Sequence, residues 1–146
     1  MSGGLHLLKL CVGIDSVEAL EASIARRRAA ADDPGNWHPV HVTRMFPRRA
    51  GELLAGGSLY WVIGGEIRAR QEILALEERM GEDGIRRCAI HLSPTLMRTQ
   101  PVPRRPFQGW RYLPAAEAPP DIVPRGDEEA LPEELGAALG LIGVRL

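Results

Sequence analysis

The residues of this chain best able to do chemistry are arginines: Arg44, Arg48, Arg49, Arg68, Arg70, Arg98, Arg104, Arg105 and Arg111. Tyr60, Trp61, Phe107, Trp110 and Tyr112 are interleaved with them. Guanidinium forks neutralise phosphates, and aromatic rings stack on bases at roughly 1–3 kcal/mol per base. RNA, single-stranded above all, or a nucleotide-like anion is the partner that needs both groups together. Arg44, Arg48, Arg49, Arg68, Arg70, Arg104, Arg105, Trp110 and Arg111 therefore form the candidate binding set. The competing reading is that the rings fill a core while the arginines pair with neighbouring acids.

Other chemistry has less to stand on. The chain carries no phosphate loop ending in GK[ST], no GxSxG, no HExxH and no paired CxxC. His38 and His41, three apart on a strand, point to opposite faces and make poor co-ligands, so neither metal nor cofactor is expected. The alternative function is a small enzyme acting on a phosphorylated or carboxylated molecule, with His41 or His91 as acid or base. A closed pocket around one His, one carboxylate and a pair of Arg would favour it; a broad, open basic groove would favour nucleic acid. A third is a protein-interaction module built on the Pro-rich aromatic segment. Glu66 and Glu72 are interleaved with Arg68 and Arg70, which suits a salt-bridged ladder better than proton transfer. Cys11 and Cys88 read as small buried hydrophobes.

The elements that must position these groups follow from periodicity. Leu5 to Ile14 is a nearly buried strand. Asp15 or Ser16 then caps a helix with Val17, Leu20 and Ile24 on one face, Asp15 and Glu18 having capping-box spacing. His38 to Phe46 alternates as a second strand, and Arg48 to Ala55 forms a short helix with Leu53 and Leu54 inward and Gly56 at its end. The stretch GGSLYWVIGGEIRARQEIL, Gly56 to Leu74, reads as strand, tight passage, strand. Gly64-Gly65 permits a hairpin turn or a bulge. Period two places Glu66, Arg68 and Arg70 on one face and Ile67 and Ala69 on the other. Gly81 to Gly84 is a turn leading to the strand Arg87–Leu92, with Cys88, Ile90 and Leu92 on one side. Three prolines between Pro101 and Pro106 exclude a central strand there.

Charge is unevenly spread. Trp37 to Tyr112 holds 12 Arg against 7 acids, whereas from Leu113 onward 7 acids face 2 Arg, although the whole chain of 146 residues nets -1. A single globular domain over residues 1–113, followed by a Pro-rich acidic tail over 114–146 with a C-terminal helix, is the expected organisation. Leu135, Leu139 and Ile142 would form the tail's docking face. No apolar run approaches the ~20 residues of a membrane helix, and no signal peptide is visible, so a cytoplasmic protein is expected.

At TRMFPRR, GGSLYWVIGGEIRARQEIL and above all PRRPFQGWRYL, the chain resembles the bacterial family called domain of unknown function 1489, over about Leu5 to Leu113. That resemblance implies membership and no activity. The layout of a Gly-ended short helix, a Gly turn and alternating Arg is also similar to the pseudo-barrels of PUA and ASCH-like domains, many of which bind RNA or modified bases. It implies an α+β fold, mainly antiparallel, with a PUA-like pseudo-barrel sheet and two or three short helices.

Overall fold

The computed structural model describes residues 4–122. The helix expected near Pro132, with Leu135, Leu139 and Ile142, lies outside the described residues. Seven strands and two helices follow in the order β1 (Leu5–Leu10), α1 (Val17–Ala29), β2 (Val40–Thr43), α2 (Ala50–Leu53), β3 (Ser58–Ile63), β4 (Glu66–Met80), β5 (Arg86–Leu92), β6 (Met97–Pro103) and β7 (Trp110–Pro114). The main path of the sheet is β2-β5-β4-β3-β1-β7, with β6 also paired to β4. Only β1 and β3 run parallel; the remaining pairings are antiparallel, as expected. The pseudo-barrel does not form. β2 pairs with β5 alone and β7 with β1 alone, so the two ends of the sheet stay apart.

Each element has a local cause. Ser16, not Asp15, caps α1: its backbone is extended and its hydroxyl accepts from Ala19 N at 3.1 Å, satisfying one free donor of the first turn. Val17, Leu20 and Ile24 are buried as their spacing predicts. In α2 Leu53 is buried but Leu54 is 44% exposed, because the four-residue helix turns only one of the two inward. Gly57 follows it in a tight passage where a Cβ would lie 2.4 Å from Leu53 O and 2.6 Å from Leu5 O. Gly64 and Gly65 form a two-residue hairpin turn with φ of 62° and 84°, the left-handed pair that a twisted hairpin favours.

β4 is the organising strand, and it departs from simple alternation. Its register against β3 slips between Trp61 and Val62, so Ala69 opposes Trp61, Ile67 opposes Val62, and Arg68 is the extra residue of a bulge. Ile67 consequently joins the cluster of Leu8, Tyr60, Val62 and Leu113 on one face of the sheet. Ala69 stands with Trp61 on the other, which belongs to the larger cluster with Leu5, Leu7, Leu59, Ile63, Ile73, Ile90, Leu92 and the apolar side of α1. Burial of each such Leu or Ile contributes about 1.5–3 kcal/mol, so these two clusters hold the sheet between its covers. The run from Ile73 to Met80 continues as strand and pairs with β5 across the expected Gly81–Gly84 turn. β6 accommodates Pro101 and Pro103 because β4 is its one named strand partner.

Beyond Leu113 the chain is packed as far as Ile122. Thr99 bridges Asp121, Gln100 N donates to Pro120 O at 2.9 Å, and Ile122 N donates to Arg98 O at 2.8 Å. Among the described residues no helix is long and apolar enough to cross a membrane.

Candidate functional site: a cationic cleft under helix α1

A cleft of about 180 Å³ opens between the end of β1, the second half of α1 and the start of β2. Leu10, Cys11, Val12 and Ile14 line one side, Leu20, Ser23 and Arg27 another, and Pro39, Val40 and His41 a third. Lys9, Trp61, Gln71 and Leu92 complete the lining. Lys9 is brought there by register: it lies opposite Trp61 on β3 and Trp110 on β7, hence on the α1 face. Arg27 comes from the last turns of the helix, where its Nε donates to Ser23 O at 3.4 Å and its guanidinium lies 5.8 Å from the centre of the Trp37 ring. Neither Lys9 nor Arg27 makes an ion pair with a described residue, and no carboxylate lines the cleft.

His41 faces inward from β2, while Val40 and Val42 are exposed, the reverse of what hydropathy alone would choose. Its ring meets Trp61 edge to face, centroids 5.3 Å apart. Trp61 is fixed in turn by its indole N–H donating to Gln71 Oε1 at 2.8 Å, and Gln71 Nε2 donates to Ser93 O at 2.9 Å. His41 Nε2 is buried without a partner, the one such side-chain atom among the described residues. Burial, reinforced by the charges of Lys9 and Arg27, pushes the imidazole down to about 4, so it is neutral at neutral pH. Burial pushes the Cys11 thiol up to about 11 against the pull of the same two cations, which leaves it protonated. Cys88, buried in β5, is likewise raised to about 11 by burial. The arrangement can therefore attract an anion and offer it a neutral imidazole, with no activated nucleophile at hand.

The arginines named from sequence divide among several places. Arg49 pairs with Glu52 at 2.6 Å, its backbone N–H donates to Tyr112 OH at 3.1 Å, and its guanidinium lies 5.6 Å from the centre of that ring. Trp110 packs edge to face on Tyr112 and donates from Nε1 to Met45 O at 2.8 Å, which ties the loop carrying the exposed Arg44 and Arg48 to β7. Arg68 pairs with Glu66. It also helps hold down the Glu18 carboxyl of α1, after that residue's own backbone hydrogen bond and the charge of Arg98.

Arg70, across the bulge, points the other way, opposite Tyr60, and is committed to Asp121 and Ser58 Oγ. The shared face expected for Arg68 and Arg70 does not exist. Arg104, half-buried, donates to Pro103 O, and its backbone N–H to Gly65 O. Arg105 is exposed, and Arg111 lies over Phe107 at 4.9 Å. Arg98, also singled out, bridges to Glu18 and Glu21 of α1.

Sequence reasoning named His41 but not Lys9 or Arg27. The signal for Lys9 was present: it is the lone Lys of the chain, set within the apolar strand LHLLKL. A family model described as "Protein of unknown function (DUF1489)" matches residues 7–145. The chain belongs to that family. The DUF1489 match agrees with the resemblance at PRRPFQGWRYL and carries it past Leu113 into the acidic tail. No curated protein and no solved structure matches the chain.

Proposed function

We propose that this DUF1489 protein binds a small phosphorylated or carboxylated molecule in the cleft beneath α1. The observation that carries the reading is the meeting of two cations without ion-pair partners among the described residues, Lys9 and Arg27, with the buried Nε2 of His41, unpartnered among the same residues. Buried polar atoms nearly always have a partner, and a ligand hydroxyl, N–H or bound water would supply it here. At about 180 Å³ the cleft has room for roughly six waters' worth of liquid volume. That suits an anionic group with a short stem rather than a whole nucleotide. The protonated Cys11 and the absence of a lining carboxylate favour binding over covalent chemistry. Two free cysteines fit the cytoplasmic setting we assign.

Calorimetric titration with inorganic phosphate and with glycolate at low ionic strength tests this. Lys9→Met and Arg27→Met should each weaken binding about tenfold, the size of one charge-assisted contact. Absence of binding by wild type, or unchanged binding by the double variant, would sink the idea.

Nucleic acid is the second reading, favoured by the Arg111–Phe107 stack beside Arg104 and Arg105, none of which pairs with a described carboxylate. It requires salt-sensitive binding of single-stranded RNA that Arg104→Ala with Arg105→Ala diminishes across sequences.

A further inference from the structure

A chain of hydrogen bonds on the far side of β5 ends at His38, the residue before the Pro39–His41 wall of the cleft. Glu77 Oε1 lies 2.9 Å from His91 Nε2, and His91 Nδ1 lies 2.8 Å from His38 Nε2. A carboxylate only accepts, so His91 Nε2 carries a hydrogen. With His91 neutral, its Nδ1 accepts and His38 Nε2 must donate. One added proton, on either imidazole, leaves both bonds intact and places a cation within reach of Glu77. A second proton puts hydrogens on both facing nitrogens and breaks the His38–His91 bond.

What that bond holds is the segment entering β2. Trp37 there takes the Arg27 guanidinium on its ring. Two residues on, Pro39 accepts from Leu92 N at 2.9 Å, and His41 enters the cleft. We infer that the Glu77–His91–His38 chain positions the Trp37–His38 segment that leads into the Pro39–His41 wall of the anion cleft, and releases it only on taking up a second proton. This rests on the cleft being an anion site. On the same face of the sheet Arg79 of β4 donates to the same Glu77 oxygen at 2.9 Å, and Arg87 of β5, opposite Arg79, is held by Asp83. β2 and β4 set the uncharged Val40 and Ala75 opposite His91. His41 points to the other face of β2.

The test uses the full-length protein. Long-range proton–nitrogen NMR of the imidazoles gives their tautomers and titrations, the Trp37 indole resonance reports the wall without ligand, and inorganic phosphate probes the cleft. With both imidazoles neutral, His38 and His91 should each carry hydrogen on Nε2. The Trp37 resonance should stay put through the first imidazole titration and move with the second.

Glu77→Gln keeps an acceptor but removes the charge, so the first titration should shift to lower pH, an effect that a purely structural contact would not produce. His38→Ala should displace Trp37 at every pH and weaken phosphate binding about tenfold, the loss of roughly one positioning hydrogen bond. His38→Gln retains a donor toward His91 and should restore the wall while abolishing its second-proton response. If Trp37 follows these changes but phosphate binds nowhere, the positioning chain stands and the cleft loses its role as an anion site. If phosphate binds and His38→Ala alters neither Trp37 nor affinity, the inference is overturned while the cleft reading survives.

Discussion

The β4–β5 hairpin and the α1 cleft are both rich in positive charge, yet they treat it in opposite ways. On the hairpin Arg79 pairs with Glu77, Arg86 with Glu78 and Arg87 with Asp83, each between neighbours on the same or the adjacent strand or turn. In the cleft Lys9 and Arg27 arrive from different elements and meet no carboxylate among the described residues. Basic composition alone therefore says little about binding. What distinguishes the regions is whether the fold brings a carboxylate to the cation: on the hairpin the local sequence supplies one, and in the cleft none of the described residues does.

The largest expected break in that contrast is Trp61→Ala. It removes the floor of the cleft, leaves Gln71 Oε1 without its donor, and opens space against His41. A loss of about 3–5 kcal/mol is expected by urea denaturation, together with loss of phosphate binding. Deleting an exposed hairpin arginine should leave both readouts nearly unchanged.

Next in size is the pH dependence carried by His41. Its folded value of about 4 lies below the ordinary 6.5, so between those limits the unfolded chain takes up a proton that the folded chain refuses. Stability should fall as pH drops from about 6.5 to about 4, by on the order of 3 kcal/mol in all. His41→Leu should flatten that slope. His6, lowered in the same direction first by burial and then by Arg70, should leave a shallower residual dependence. A slope indifferent to His41→Leu would mean that the imidazole is not held neutral by its cleft.

Much of this architecture was legible because it is local. The spacing of Val17, Leu20 and Ile24 announced α1, with its cap open between Asp15 and Ser16, Gly64-Gly65 marked the passage from β3 to β4 as a turn or a bulge, and Cys88, Ile90 and Leu92 announced the inner face of β5. Local rules failed where a distant residue decides. The bulge at Arg68 is set by the pairing of β4 with its neighbours, and it moves Ile67 and Ala69 to different faces although their spacing is that of one face. His41 turns inward against two valines because Trp61 and the cleft receive it, and nothing within HPVHVTRMF records Trp61. Arg70 finds Asp121 fifty-one residues away, inside a stretch whose composition reads as linker.

That last pair gives the finest test of the comparison, because Arg70 and Arg87 each hold a carboxylate by two hydrogen bonds in different surroundings. Arg70 donates from Nε and Nη2 to the two oxygens of Asp121 at 2.8 and 2.7 Å, and from Nη1 to Ser58 Oγ at 2.8 Å. The two arginine side chains are about equally exposed, 25% and 27%, but Asp121 is 27% exposed against 49% for Asp83, and Ser58 is fully buried. Arg87 holds Asp83 at 3.0 and 2.8 Å across a surface turn. Arg70→Ala strands a buried hydroxyl and frees the segment through Ile122 from β4, so it should cost about 1–3 kcal/mol. The urea midpoint should fall at unchanged m. Arg87→Ala releases a carboxylate into water, so its midpoint should barely move. Equal midpoints for the two variants would mean that the stretch from Leu113 to Ile122 is not held through Asp121, and that neither the buried Ser58 contact nor the long sequence separation adds to the worth of the Arg70 pair.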